Sequence, residues 1–162
     1  MNILELNRIV LDKLSFHKFK ACFVVTGGGS QSIASLLSIP GASENILEVQ
    51  IPYSKKALEI YLNHSLLTTC NSIISTKLAR AAKQRADLIC SQKENNIGIS
   101  CTSALISNRV RKGKNRAHFT LVTNNKLFYK YLIPISLTRS EQEVEISNNL
   151  LKFISETISS ND

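Results

Sequence analysis

The stretch that most constrains the fold is CFVVTGGGSQSIASLL, Cys22 to Leu37. A short β-branched run ends at Thr26, three glycines follow, and Ile33, Leu36 and Leu37 then recur at helical spacing. A run of that kind reads as a buried strand, and glycine stands where a chain turns sharply or lets something approach its backbone. The predicted unit is strand, glycine turn, helix. Successive N–H groups at Gly27, Gly28, Gly29 and Ser30 could converge on one anion, aided by the positive end of the helix. The turn matches neither the Walker pattern GxxxxGK[ST] nor GxGxxG. Hydroxyls at Thr26, Ser30 and Ser32 crowd it and favour a ligand; the plainer alternative is that the glycines only permit a tight, closely packed turn.

The flanking sequence extends the alternation. Ile3, Leu6, Ile9, Val10, Lys13 and Leu14 form one stripe of a helix over roughly residues 3 to 18. After the breakers Pro40 and Gly41, NILEVQIPY alternates as a strand that Pro52 closes. A helix from Ser54 to about Leu62 is followed by a longer one from Asn71, its N-cap, to about Arg85. NIGISCTSALIS supplies a third strand, and RAHFTLVTNNKLFYKYLIPI two more around an Asn124-Asn125 turn. Thr138 and Glu141 form a T-x-x-E capping box for a last helix whose inner side carries Val144, Leu151, Ile154 and Ile158. That order predicts a three-layer α/β/α sandwich on a mixed sheet of about five strands, one domain over residues 1–162, with SSND at the end as a frayed tail.

The composition narrows the function classes. No apolar run approaches the ~20 residues of a membrane span, and the start alternates acids and bases through its apolar positions, unlike a signal peptide. The expected location is cytoplasmic. Cys22, Cys70, Cys90 and Cys101 are far apart without a CxxC, so they read as reduced thiols. His17, His64 and His118 are scattered, so no metal and no cofactor are expected. The net charge of +8 has its densest source in RVRKGKNR, Arg109 to Arg116. That loop lacks the interleaved aromatics of a base-stacking surface, so it reads as solvated charge or a single-phosphate contact rather than a nucleic-acid interface.

Continued, the opening stretch reads VVTGGGSQSIASLLSIPGASENILEVQIPYS and resembles the C-terminal domain of the competence/damage-inducible CinA family, whose bacterial members include nicotinamide mononucleotide deamidases. VVTGGG stands where that family has ESCTGG, IPGAS where it has pGaS, and PYSKKAL where it has YSNEAK. GISCTSAL and LTRSEQEVE are weaker matches to sGIAGP and GDRxxVR. The resemblance covers about Ala21 to Ile154 and implies an α/β/α domain with a nucleotide pocket. In the deamidases a serine attacks the carboxamide carbon and a lysine takes its proton. The resemblance places Thr26 on the serine and Tyr53 on the family tyrosine, but Leu58 on the lysine. A leucine accepts no proton, so a base would have to come from Lys55 or Lys56, which a helix turns away from the family position by about half a turn or more.

The resemblance also puts Arg139 against the ligand's anionic group, which a planar guanidinium suits, although a first-turn arginine is ordinarily solvated. Tyr53 either lines the pocket or is a half-buried strand terminus. Thr102 and Ser103 end the third strand, where open α/β sheets bind ligands. The expected pocket thus comprises Thr26, Gly27, Gly28, Gly29, Ser30, Tyr53, Thr102 and Arg139, and the expected partner is a phosphorylated nucleoside related to nicotinamide mononucleotide. A homo-oligomer is compatible with this reading. Two functions remain open: a binding module with a degenerate Ser/Lys pair, or an active nicotinamide-nucleotide amidohydrolase using Thr26 or Ser30 with Lys55 or Lys56. Leu58 favours the first.

Overall fold

The computed structural model describes residues 1–159. In chain order the elements are α1 (Ile3–Phe16), β1 (Lys20–Thr26), α2 (Ser30–Leu37), β2 (Ile46–Gln50), α3 (Lys55–Leu62), α4 (Ser72–Ile89), β3 (Asn96–Ala104), β4 (Arg116–Val122), β5 (Leu127–Leu132) and α5 (Arg139–Ser159). The strands form one sheet in the order β2-β1-β3-β4-β5. β1 is parallel to β2 and β3, whereas β4 and β5 continue antiparallel. The expected tail falls on residues 160–162, outside the described residues, apart from Ser159, the last residue of α5.

Side chains alternate along each strand, so β1 feeds two cores. Phe23 and Val25 join Ile99, Phe119, Leu150 and Ile154 beneath α1, α2 and α5, while Cys22 and Val24 join Leu58, Ile74 and Leu78 beneath α3 and α4. This is the three-layer α/β/α sandwich on a five-stranded mixed sheet that the alternation predicts. Sequence caps mark the helix starts correctly: the Asn71 side chain accepts the Ile74 N–H at 2.8 Å, and the Thr138 hydroxyl accepts the Glu141 N–H at 3.2 Å. α4 runs past Arg85 to Ile89. Arg85 uses that helix to fork onto Glu48 of β2, with both contacts at 2.8 Å, and these bonds hold the Glu48 carboxyl below its usual pKa.

Two expected core positions are not core. Val144 is 44% and Leu37 50% exposed. Val144 does share a stripe with Leu151 and Ile158, but α1 covers that stripe farther along, where Lys13 Nζ donates to Ser155 O at 2.9 Å. Val144 therefore lies in an open groove beside Gln31 and Glu145. Leu37 ends α2, one residue beyond the buried Leu36.

The middle of the sheet is closely covered. A Cβ built on Gly98 of β3 would fall 2.0 Å from Ala79 O and 2.4 Å from Lys83 N, both backbone atoms of α4. Two residues on, the Ser100 hydroxyl donates to Ser75 O at 2.6 Å, and the Ser75 hydroxyl lies 2.7 Å from that of Thr120, so the buried polar atoms of this contact are partnered. Gly98→Ala is expected to destabilise the fold by about 2–3 kcal/mol or more, because backbone must move to admit the methyl group. Urea denaturation tests this, and an unchanged midpoint would contradict the α4–β3 contact.

Candidate functional site

The glycine turn sits where β1 and β3 end side by side. Thr26 pairs with Thr102, which brings Gly27 against Ser103. Gly27 has φ +81°, and a Cβ there would meet Ser103 O at 1.8 Å. Gly29, at φ +97°, is the N-cap of α2. Both conformations belong to glycine, so the turn's shape accounts for two of the three glycines. Gly28 has no unusual φ, but its absent side chain leaves room for Leu105 Cδ1, which a Cβ would approach to 2.6 Å.

The turn does gather an anion, and the anion is the protein's own. Glu143, in the second turn of α5, accepts the Gly29 N–H at 2.8 Å on Oε2 and 3.0 Å on Oε1, and the Gln31 N–H at 3.1 Å on Oε1. The hydroxyls of Ser30 and Ser147 lie 3.4 Å from the same Oε1. A carboxylate at the N-terminus of α2 satisfies donors that the helix leaves unpaired and lies in the favourable field of its dipole. The donors differ from those expected: Gly29 and Gln31 through their amides, with Ser30 through its side chain.

Four residues earlier, the Arg139 guanidinium reaches the ends of both strands. It donates to Ile106 O at 3.2 Å through Nη1 and to Gly27 O through Nη2. Gln142, 1% exposed, holds the segment after β3 as well, accepting the Ile106 N–H at 2.9 Å and donating to Ser136 O at 3.1 Å. Arg139, Gln142 and Glu143 thus join the start of α5 to the carboxyl edge of the sheet.

Above this edge lies a cavity of about 560 Å³, whose walls include Thr26, Gly27, Gly28, Ser30, Tyr53, Arg139 and Glu143. Most of the expected pocket residues therefore meet around one space, with Gly29 just behind Glu143. Thr102 does not join them: it is buried, and its hydroxyl donates to Thr69 O at 2.6 Å. Lys55 and Lys56 are exposed on the first turn of α3 and are not among the residues lining the cavity. Leu58 is 1% exposed in the core beneath α3 and α4. Cys101, behind the turn, donates its thiol to Gly28 O at 3.5 Å, and burial raises its pKa well above the ordinary value, so it is a poor nucleophile. The titratable or charged groups lining the cavity are Tyr53, Arg139 and Glu143. No group of three His, Cys, Asp or Glu among the described residues is placed to hold a metal ion, and none of the described helices is long and apolar enough to cross a membrane.

Sequence reasoning misses Glu143 and Gln142. The signal for Glu143 was nevertheless present: in LTRSEQE, laid on GDRxxVR, Glu143 occupies the position of the second arginine. A charge reversal at a patterned position next to a glycine-rich turn marks a change in what that turn holds.

No protein-family profile matches the sequence, and no curated protein does. Solved structures do match. The competence/damage-inducible protein CihA from Agrobacterium tumefaciens superposes with a TM-score of 0.80 at 15% identity, covering 99% of this chain and 96% of that one. A competence or damage-inducible protein from Enterobacter asburiae gives 0.79 at 12% identity, covering 100% and 99%. A CinA superfamily protein from Escherichia coli gives 0.79 at 11% identity, covering 96% and 90%. The chain has the fold of the CinA superfamily structures.

If Glu143 fills the turn, removing its carboxylate opens a hole of matching shape. Glu143→Ala is expected to cost about 1–3 kcal/mol, the cost of leaving such donors without their partner. Acetate should then restore part of the lost thermal midpoint in the variant and leave the native protein unchanged. Equal responses of the two proteins to acetate would contradict the assignment.

Proposed function

We propose that the domain binds a phosphorylated nucleoside related to nicotinamide mononucleotide at the carboxyl edge of β1 and does not hydrolyse it. The observation that carries this reading is the make-up of the cavity: hydroxyls from Thr26 and Ser30, an aromatic ring from Tyr53 and a guanidinium from Arg139, without a lysine among the residues lining it. Because Glu143 takes the N–H groups of Gly29 and Gln31, the phosphate belongs on Arg139. A guanidinium has five N–H donors, and two carbonyls leave several of them for a phosphate. Glu143, which lines the cavity, accepts from a hydroxyl or carboxamide N–H of the nucleoside through its remaining lone pairs.

Hydrolysis of a carboxamide needs a nucleophile, a base within about 3 Å of it and donors for the oxyanion. Thr26 provides a hydroxyl, but the position of the family lysine is Leu58, buried in the same core as Val24 and Leu78. Substituting lysine there would bury an ammonium group among apolar side chains. Glu143 is already committed to Gly29 and Gln31, and its Oε1 accepts from Ser30 and Ser147 as well.

Nicotinamide mononucleotide is therefore expected to raise the thermal midpoint of the native protein without releasing ammonia above the uncatalysed rate. Arg139→Gln should weaken that binding about tenfold or more, the loss of hydrogen bonds to a charged group. Ammonia release abolished by Thr26→Ala or Ser30→Ala would overturn the proposal and bring Lys55 or Lys56 into the site.

A further inference from the structure

The positive charge of this protein is not spread over it. Residues 95–140 contain eight of the twenty lysines and arginines and none of the twelve aspartates and glutamates, so the net charge of +8 resides entirely in that segment. Four of the eight, Arg109, Arg111, Lys112 and Lys114, are exposed in the connection between β3 and β4. Since β3 runs parallel to β1, that connection leaves the sheet at the same edge as the glycine turn.

The loop is anchored and concave. Arg111 donates to Leu105 O at 2.8 Å and to Asn115 Oδ1, and Arg116 clamps the return strand by donating to Cys70 O at 3.2 Å through Nε and 3.0 Å through Nη2. Between these anchors is a cavity of about 370 Å³ lined by Ile106, Ser107, Arg109, Arg111, Lys114 and Asn115 among others. Ile106 is the hinge between the two cavities, since its carbonyl accepts from Arg139 in the first and the residue itself lines the second. Consecutive carbonyls, of Leu105 and Ile106, thus each hold one guanidinium, Arg111 and Arg139 respectively.

We infer that the Ser107–Asn115 loop is a second phosphate subsite, so that the ligand carries two or more phosphoryl groups, as a dinucleotide or a nucleoside polyphosphate does. The inference extends the proposed function by naming the ligand class. Phosphate oxygens suit forked guanidinium donors, and here they meet arginine, lysine, serine and asparagine with no acid in the segment to oppose them. The loop offers no aromatic ring to a base, so it reads phosphate and leaves the nucleoside to Tyr53 and Thr26. Glu143 strengthens the case, because it denies the turn to an anion while the loop remains open to one.

The test compares three probes by calorimetry at low salt, where the Debye length does not mask exposed charges: nicotinamide mononucleotide, the dinucleotide NAD and inorganic tripolyphosphate. Each is titrated into the native protein and into the double variant Arg109→Ala, Lys114→Ala, whose substituted residues are exposed. The expected result is that NAD binds about tenfold tighter than the mononucleotide, as one additional charge-assisted contact supplies. In the double variant that advantage and tripolyphosphate binding both disappear, and mononucleotide affinity stays unchanged. Tripolyphosphate binding that is lost in the variant, with no mononucleotide binding by either protein, would support the loop site while refuting the first pocket. Equal affinity of the native protein for NAD and mononucleotide, or an unaltered NAD affinity in the variant, would overturn the inference. So would a single-stranded oligonucleotide that binds through the loop more tightly than NAD, since the surface would then serve nucleic acid.

Discussion

The contact on which the site depends is that between Glu143 and the glycine turn. A glycine turn that ends a strand and begins a helix leaves N–H groups pointing outward with no intrachain acceptor, and in a closed protein something must take them. Here α5 delivers a carboxylate to Gly29 and Gln31, while Arg139 and Gln142 of the same helix tie down the carbonyls and N–H of Gly27 and Ile106. The start of α5 is thereby fixed to the ends of β1 and β3 by three side chains. This places a guanidinium and a carboxylate in the wall of the cavity.

The architecture was largely legible in the sequence because its signals are local. Buried strands announce themselves as β-branched runs, Asn71 and Thr138 cap helices through contacts three residues away, and Asn124-Asn125 turns a hairpin within its own strands. Val144 and Leu37 failed because periodicity gives the face of a helix and not how far its partner extends along that face. The site was legible in part. The glycine turn could be placed at the carboxyl edge of the sheet from its position after a strand, whereas Tyr53 and Arg139 were placed beside it through the family resemblance.

What local patterns could not give was the pairing of Glu143 with Gly29, which are 114 positions apart. From sequence, an exposed helix carboxylate and an unoccupied anion cradle are two separate residues, and only the packing of α2 on α5 makes each the partner of the other. Thr102 shows the converse limit. Its place at a strand end made it a plausible donor, but the loop before α4 supplies Thr69 O, and a buried hydroxyl takes the nearest acceptor. Leu58, read from the sequence as an obstacle to proton transfer, lies in a core that has closed around it.

The most direct test is a titration of ¹⁵N-labelled protein with nicotinamide mononucleotide, followed by the amide resonances. The expected result is progressive shifts at Thr26, Gly27 and Tyr53, with the Arg139 side-chain N–H signals moving as phosphate binds them. Gly29 and Gln31 should keep their hydrogen-exchange protection throughout, because Glu143 stays in place. Loss of protection at Gly29 and Gln31 as ligand is added would show the phosphate displacing the carboxylate, and unmoved resonances around Thr26 and Tyr53 would place the ligand elsewhere. Either outcome would contradict the site described above.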